Sequence, residues 1–245
     1  MNPADAAFLA LLIFAIAILF SSVGQAGGSG YLAAMLVLGL PGAMMRPAAL
    51  LLNIGVATVA SITYIRAGAF SWRTLLPFAI ASVPMSFVGG SLVLPPEIYK
   101  PVIGIVLVVA AIRLLVGAGK APTARAMPVP LALGAGALIG LASGLTGIGG
   151  GIFLAPLLLF TGWETPRAAA GVSAVFILLN SVAALLGQPV ALSALPLVMP
   201  AWALCAIVGG WIGARYGSRA LNPVWTRRGL AVVLLVAAAR TLITD

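Results

Sequence analysis

Apolar residues run along this chain in long blocks, and what divides the blocks differs from place to place. Most divisions are short turns holding a cation or a proline. Two are different in kind. Ser21 to Ala34, S-S-V-G-Q-A-G-G-S-G-Y-L-A-A, and Ser143 to Pro156, S-G-L-T-G-I-G-G-G-I-F-L-A-P, set glycine and polar backbone inside apolar sequence. Ahead of the first lies Phe8 to Phe20, an apolar helix of about 13 residues, shorter than the ~20 that cross a bilayer. After it comes a second short helix, Tyr31 to Leu40, closed by Pro41-Gly42. The pattern predicts a hairpin of two half-helices. Three full-length spans follow: Pro47 to Ile65 with Asn53, Trp72 to Leu94 with Pro77 and Pro84, and Ile98 to Val116.

The same order then recurs. Leu131 to Ala142 is a short apolar helix, Gly144 to Gly151 the break, and Ile152 to Phe160 a second short helix. Spans follow at Ala168 to Leu186 with Ser173 and Asn180, at Ala191 to Ala214 with Pro196 and Pro200, and at Val224 to Ile243. Gly89-Gly90 matches Gly209-Gly210, and V-V-A-A-I-R ending at Arg113 matches L-V-A-A-A-R ending at Arg240. This reads as an internal duplication, a common construction of secondary transporters. The expected fold is an all-α polytopic membrane protein of two repeats, residues 1–117 and 131–245, joined by a linker at 118–130. Each repeat is a glycine-broken, re-entrant-like helix hairpin plus three transmembrane helices.

Composition narrows the class. With 62% hydrophobic and 7% charged residues, the chain has too little polar surface to cover a soluble globule. Its net charge of +9 does not point to nucleic acid, because the cations sit singly between apolar runs and so report topology. If each hairpin enters and leaves on one side, one face receives Arg66, Arg73, Arg113, Lys120, Arg125, Arg167, Arg215, Arg219, Arg227 and Arg228. The other receives only Arg46, Lys100 and Arg240. The positive-inside rule then puts the linker in the cytoplasm and both termini outside, and makes the repeats inverted. The start, M-N-P-A-D, lacks a basic n-region, so the first apolar run is expected to stay in the protein.

The two breaks carry the candidate chemistry. A helix that starts after a break points unpaired N–H groups and the positive end of its dipole into the gap, which suits an anion. The candidate substrate-binding residues are Gln25, Gly27, Gly28 and Ser29 in the first half and Thr146, Gly149, Gly150 and Gly151 in the second. Asn53 and Ser173 join them from the spans that follow each hairpin. Tyr31 and Phe153 could wall the site. Glycines at Gly136, Gly140 and Gly144, and at Gly209, Gly213 and Gly217, have the spacing of helix-packing faces, and such faces would permit a homodimer.

What is missing matters as much. The four carboxylates, Asp5, Glu97, Glu164 and Asp245, fall at termini or in loops, and there is no histidine and one cysteine, Cys205. A buried proton relay, a carboxylate sodium site, an acid–base pair and a thiolate metal cluster therefore have no residues to build them. No P-loop or dinucleotide fingerprint is present, so the expectation is no enzyme, no catalytic residues, no metal and no cofactor.

The glycine motifs, the duplicated halves and the size resemble the TauE/SafE (TSUP) family of sulfite exporters over nearly the whole chain. Gly147 to Pro156, G-I-G-G-G-I-F-L-A-P, is similar to that family's G-x-G-G-G stretch followed by a proline. The first half departs from it: Gln25, Ser29 and Ala34 stand where the second copy has Gly147, Gly151 and Pro156. The resemblance implies a multi-pass protein of the bacterial inner membrane that exports a small sulfur-containing anion such as sulfite, sulfoacetate or a related organosulfonate. The residues leave open an importer or channel for a similar anion, or an accessory subunit without its own pathway.

Overall fold

A computed structural model describes residues 2–92, 127–188 and 195–219, together with 105, 108 and 112. Its described residues form eight helices and no strand: α1 (Pro3–Ser21), α2 (Gly28–Val37), α3 (Gly42–Arg66), α4 (Trp72–Ser91), α5 (Val129–Thr146), α6 (Gly151–Thr161), α7 (Pro166–Gly187) and α8 (Met199–Gly217). Five of them, α1, α3, α4, α5 and α7, are long and apolar enough to cross a membrane. The expected spans Ile98 to Val116 and Val224 to Ile243 lie outside the described residues, apart from 105, 108 and 112. So does most of the linker, whose last residues, Val129 and Pro130, already belong to α5.

The helix before each break is longer than its apolar run. α1 has 19 residues because it starts in polar sequence, where the Asn2 side chain accepts from Ala4 N–H at 3.3 Å and Pro3 supplies a fixed φ in the first turn. α5 has 18 residues and continues through Gly136, Gly140 and Gly144 to Thr146. Each of these helices rises about 28 Å, close to the thickness of a bilayer core. The expectation that each break joins two short half-helices is thereby corrected: each joins a span-length helix to a short one, of 10 residues in α2 and 11 in α6.

Packing explains why so many glycines stay helical. α5 lies along α4 with a Cβ on Gly136 falling 2.6 Å from Phe78 O, and Gly140 and Gly144 meeting the carbonyls of Ser82 and Ser86 in the same way. α8 lies along α1, with Gly209, Gly213 and Gly217 against the carbonyls of Phe14, Ile18 and Ser22. In both pairs the residue numbers rise together, so the helices run parallel at backbone contact. These small-residue faces are occupied within the chain, which removes the reason for expecting them to build a homodimer.

α3 and α7 are the most enclosed of the span-length helices. They pack on each other, α3 also on α8 and α7 also on α4. Asn180 Nδ2 of α7 donates to Ser82 Oγ at 3.1 Å, while Ser86 Oγ donates to Asn180 O at 2.8 Å. Asn180 thus ties α7 to α4.

Candidate functional site

Breaking a helix frees carbonyls at its end, and in a membrane protein these need partners from the protein itself. α3 supplies them for both breaks. Tyr64 Oη lies 3.1 Å from Ser21 O and 3.1 Å from Ser22 O at the end of α1. At the other end of α3, the Arg46 guanidinium donates to Gly144 O at 2.5 Å near the end of α5. It also holds the end of α4, donating to Gly89 O at 2.6 Å, Gly90 O at 2.8 Å and Leu92 O at 2.9 Å. Between the two, Asn53 Nδ2 donates to Gly147 O at 3.2 Å. Arg46 and Tyr64 sit about 27 Å apart along α3 at 1.5 Å per residue. The chain ends of α1 and α5 therefore lie toward opposite ends of one helix.

From there both breaks return to Asn53. A Cβ at Gly28 would lie 2.5 Å from Asn53 Nδ2 and 2.6 Å from Ile148 O, and one at Gly149 would lie 3.1 Å from Asn53 Nδ2 and 3.1 Å from Ser181 Oγ. The breaks thus touch each other, with Asn53 between them. α2 and α6 both start here, after glycines in the left-handed region: Gly27 at φ 100° and Gly150 at φ 77°. Side chains rarely adopt that conformation, so glycine is required by the turn itself. The first N–H groups of α2, on Gly28 and Ser29, and of α6, on Gly151 and Ile152, have no helical carbonyl to bond.

The left-handed glycines also recur at matching places in the two breaks. Gly24 pairs with Gly147 and Gly27 with Gly150 at one shared separation, one residue longer than in the Ser21–Ser143 match. Gly28 and Gly151 are each the first residue of a short helix. Gly28 faces Asn53, whereas Gly151 faces Ile177.

The predicted residues differ in how closely they approach this point. Gly28, Asn53 and Gly149 converge directly, and Gly27, Gly150 and Gly151 form the helix starts beside them. Gln25 and Ser29 are buried in the first break. Ser173 is buried with an Oγ that has no hydrogen-bond partner, and its carbonyl lies 3.7 Å from a Cβ on Gly151. Thr146 acts locally, since its hydroxyl donates to Ala142 O at 2.7 Å and accepts from Ile148 N–H at 3.4 Å, which closes the end of α5. Tyr31 donates to Ala26 O at 2.7 Å and so braces the first break from within.

Three residues of this region were not expected from sequence. Ser143 and Ser181 are buried, and their hydroxyls find no partner; Ser143 Cβ lies 3.3 Å from a Cβ on Gly150. Arg46, read from sequence as a loop cation, is buried against the second break, with a Cβ on Gly147 lying 3.1 Å from its Cγ. Ser143 stands in the glycine motif and Ser181 follows Asn180, so both were visible as polar interruptions of apolar helices. Nothing local marked Arg46 as buried.

Residues 9–241 match the sulfite exporter TauE/SafE family. The chain belongs to that family. It is also similar to the probable membrane transporter protein y4hK of Sinorhizobium fredii (strain NBRC 101917 / NGR234), with 42% identity over 243 residues that cover 97% of this chain and 98% of the relative. No solved structure matches it. This TauE/SafE protein is therefore a multi-pass membrane transporter and not an enzyme.

Proposed function

We propose that this transporter exports a small sulfur-containing anion, such as sulfite, sulfoacetate or a related organosulfonate, across the bacterial inner membrane through a site between its two glycine breaks. One observation carries the reading. Where the breaks meet, the hydroxyls of Ser143 and Ser181, beside Gly150 and Gly149, are buried without a hydrogen-bond partner next to the N-termini of α2 and α6, as is the hydroxyl of Ser173, whose backbone lies near Gly151. Buried polar atoms are normally bonded, and unpaired ones gathered at two helix starts suit an oxyanion that accepts from hydroxyls and N–H groups together. Gln25, Gly27, Gly28, Ser29 and Asn53 line the site from one half, and Gly149, Gly150, Gly151, Ser143, Ser173 and Ser181 from the other. Thr146 shapes the second turn.

The same reading takes residues 1–117 and 131–245 as inverted repeats joined by a cytoplasmic linker at 118–130, with both termini outside. In support, α1 ends toward Tyr64 and α5 toward Arg46, at opposite ends of α3, and both chains return to Asn53. Exchanging the halves also maps the packing of α1 on α8 onto that of α5 on α4, and α3 on α8 onto α7 on α4.

Export of an anion needs no coupling ion. A monoanion leaving a cell that is negative inside gains about 2.3 kcal/mol per 100 mV. The described carboxylates fit a route without a proton relay: Asp5 lies in the first turn of α1, and Glu164 is bonded to the Thr74 hydroxyl at the helix ends. The test is flux from liposomes containing the purified protein, loaded with sulfite, sulfoacetate, taurine or chloride and held at a negative internal potential. Potential-driven efflux of a sulfur anion is expected, with chloride much slower. Equal leak of every solute with and without protein would contradict the proposal and favour an accessory role.

A further inference from the structure

A second polar feature lies at the ends of α3, α7 and α8, and Arg66, which borders it, is about 20 Å along α3 from Asn53. A cleft of about 660 Å³ is lined there by Arg66, Arg167, Arg215 and Arg219 with Trp211. The described residues include six cations, and four of the six converge on this one cleft from three helices. No carboxylate is among the described residues that line it. Glu164, close in sequence to Arg167, is bonded instead to Thr74.

Two of the four heads are held in place without being neutralised. Arg167 Nη2 donates to Ala67 O at 2.8 Å, and the Arg215 guanidinium carbon lies 5.4 Å from the centre of the Trp211 ring. Guanidinium groups so gathered repel one another and present several donors in fixed geometry, the arrangement that phosphate oxygens satisfy bidentately. The surroundings separate one class of anion from another. On α8, Leu204, Val208 and Trp211 are 64%, 41% and 48% exposed at helical spacing, and this outward apolar stripe runs directly into Arg215. A dissolved anion would use the arginines alone. A lipid would use both, with its head in the cleft and its chain along the stripe.

We infer that this cleft binds the phosphodiester headgroup of an anionic membrane lipid, with an acyl chain lying along Leu204, Val208 and Trp211. The full-length protein in mild detergent, examined by native mass spectrometry with equal amounts of phosphatidylglycerol, cardiolipin and phosphatidylcholine, tests it. The two anionic lipids are expected to remain bound at several times the level of phosphatidylcholine. The double variant Arg215→Gln/Arg219→Gln should fall to the phosphatidylcholine level, Arg219→Gln alone should fall partway, and Arg73→Gln, outside the cleft, should bind as the unmodified protein does. Equal retention of all three lipids, or unchanged retention in both cleft variants, would overturn the inference. Displacement of the lipid by an equal concentration of inorganic phosphate would assign the cleft to a dissolved oxyanion and overturn it as well.

Discussion

Asn53 on α3 donates its amide N–H to the carbonyl oxygen of Gly147, 94 residues away, at 3.2 Å. The same amide lies against Gly28, so a single side chain touches both glycine breaks. It has a structural role, closing one carbonyl, and a place against Gly28 and Gly149 where the breaks meet.

These two roles can be separated by substitution. Asn53→Ala removes one hydrogen bond and should cost about 1 kcal/mol in stability, which a melting curve will resolve, while transport falls at least tenfold. Asn53→Asp keeps the size but turns the donor to Gly147 O into an acceptor and places a carboxylate against the bound anion, so stability should fall and transport should be lost entirely. If Asn53→Asp transports like the unmodified protein, Asn53 is only a brace.

Ser181→Ala and Ser143→Ala are cleaner probes, since neither hydroxyl bonds the protein. Each should leave the melting temperature within a degree or two and raise the KM for the transported anion severalfold, measured by liposome flux. Gly150 is less useful. Its φ of 77° means that any side chain strains the backbone, so loss of transport there would not distinguish a blocked site from a distorted one. Gly28→Ala shares the difficulty, because its added methyl, although Gly28 is helical, would press on both Asn53 and the Ile148 carbonyl.

Arg46 should behave as a fastener. Its guanidinium joins the carbonyl ends of α4 and α5, and Arg46→Met would leave several buried carbonyls without donors, a loss of about 3 kcal/mol or more. Arg46→Lys keeps the charge but not the forked geometry and should fall between the two. Thermal melting in detergent checks the order.

The two parallel helix pairs make a further prediction. A methyl at Gly136 or Gly209 would stand 2.6 Å from the carbonyl oxygen of Phe78 or Phe14 respectively. Gly136→Ala and Gly209→Ala should each destabilise by about 1–3 kcal/mol as the helices are forced apart. Gly134→Ala has no atom within 4 Å of the new methyl and should be neutral or gain about 0.5–1 kcal/mol. Melting of the three variants side by side is sufficient.

Much of this was legible in the chain because a membrane imposes simple rules. Glycine with polar neighbours inside an apolar run had to be buried in protein, and Gly28 and Gly149 are indeed brought together. The helix-packing reading of Gly140 and Gly213 also agrees with their backbone contacts. What sequence could not supply was anything set by distant contacts. The bonds that bury Arg46 reach residues 43 to 98 positions away, so its isolated place in the sequence resembled that of any loop cation. The left-handed glycines of the two breaks lie one residue off the sequence match because in a run such as Gly149-Gly150-Gly151 composition does not say which residue turns left-handed and which begins the helix. α1 and α5 exceed their apolar runs for a related reason: capping by Asn2 and packing of Gly144 extend helices past the point where hydrophobicity stops.

The central claim is that one anion sits where the two breaks meet, and binding tests it most directly. The purified protein would be melted in rising concentrations of sulfite, sulfoacetate, taurine, sulfate and chloride, alongside Asn53→Asp. A specific ligand at a hundredfold excess over its Kd adds about 2.7 kcal/mol. The account predicts a saturable rise in melting temperature with a sulfur anion, absent in Asn53→Asp. No rise with any of these anions, or an equal rise in Asn53→Asp, would contradict it.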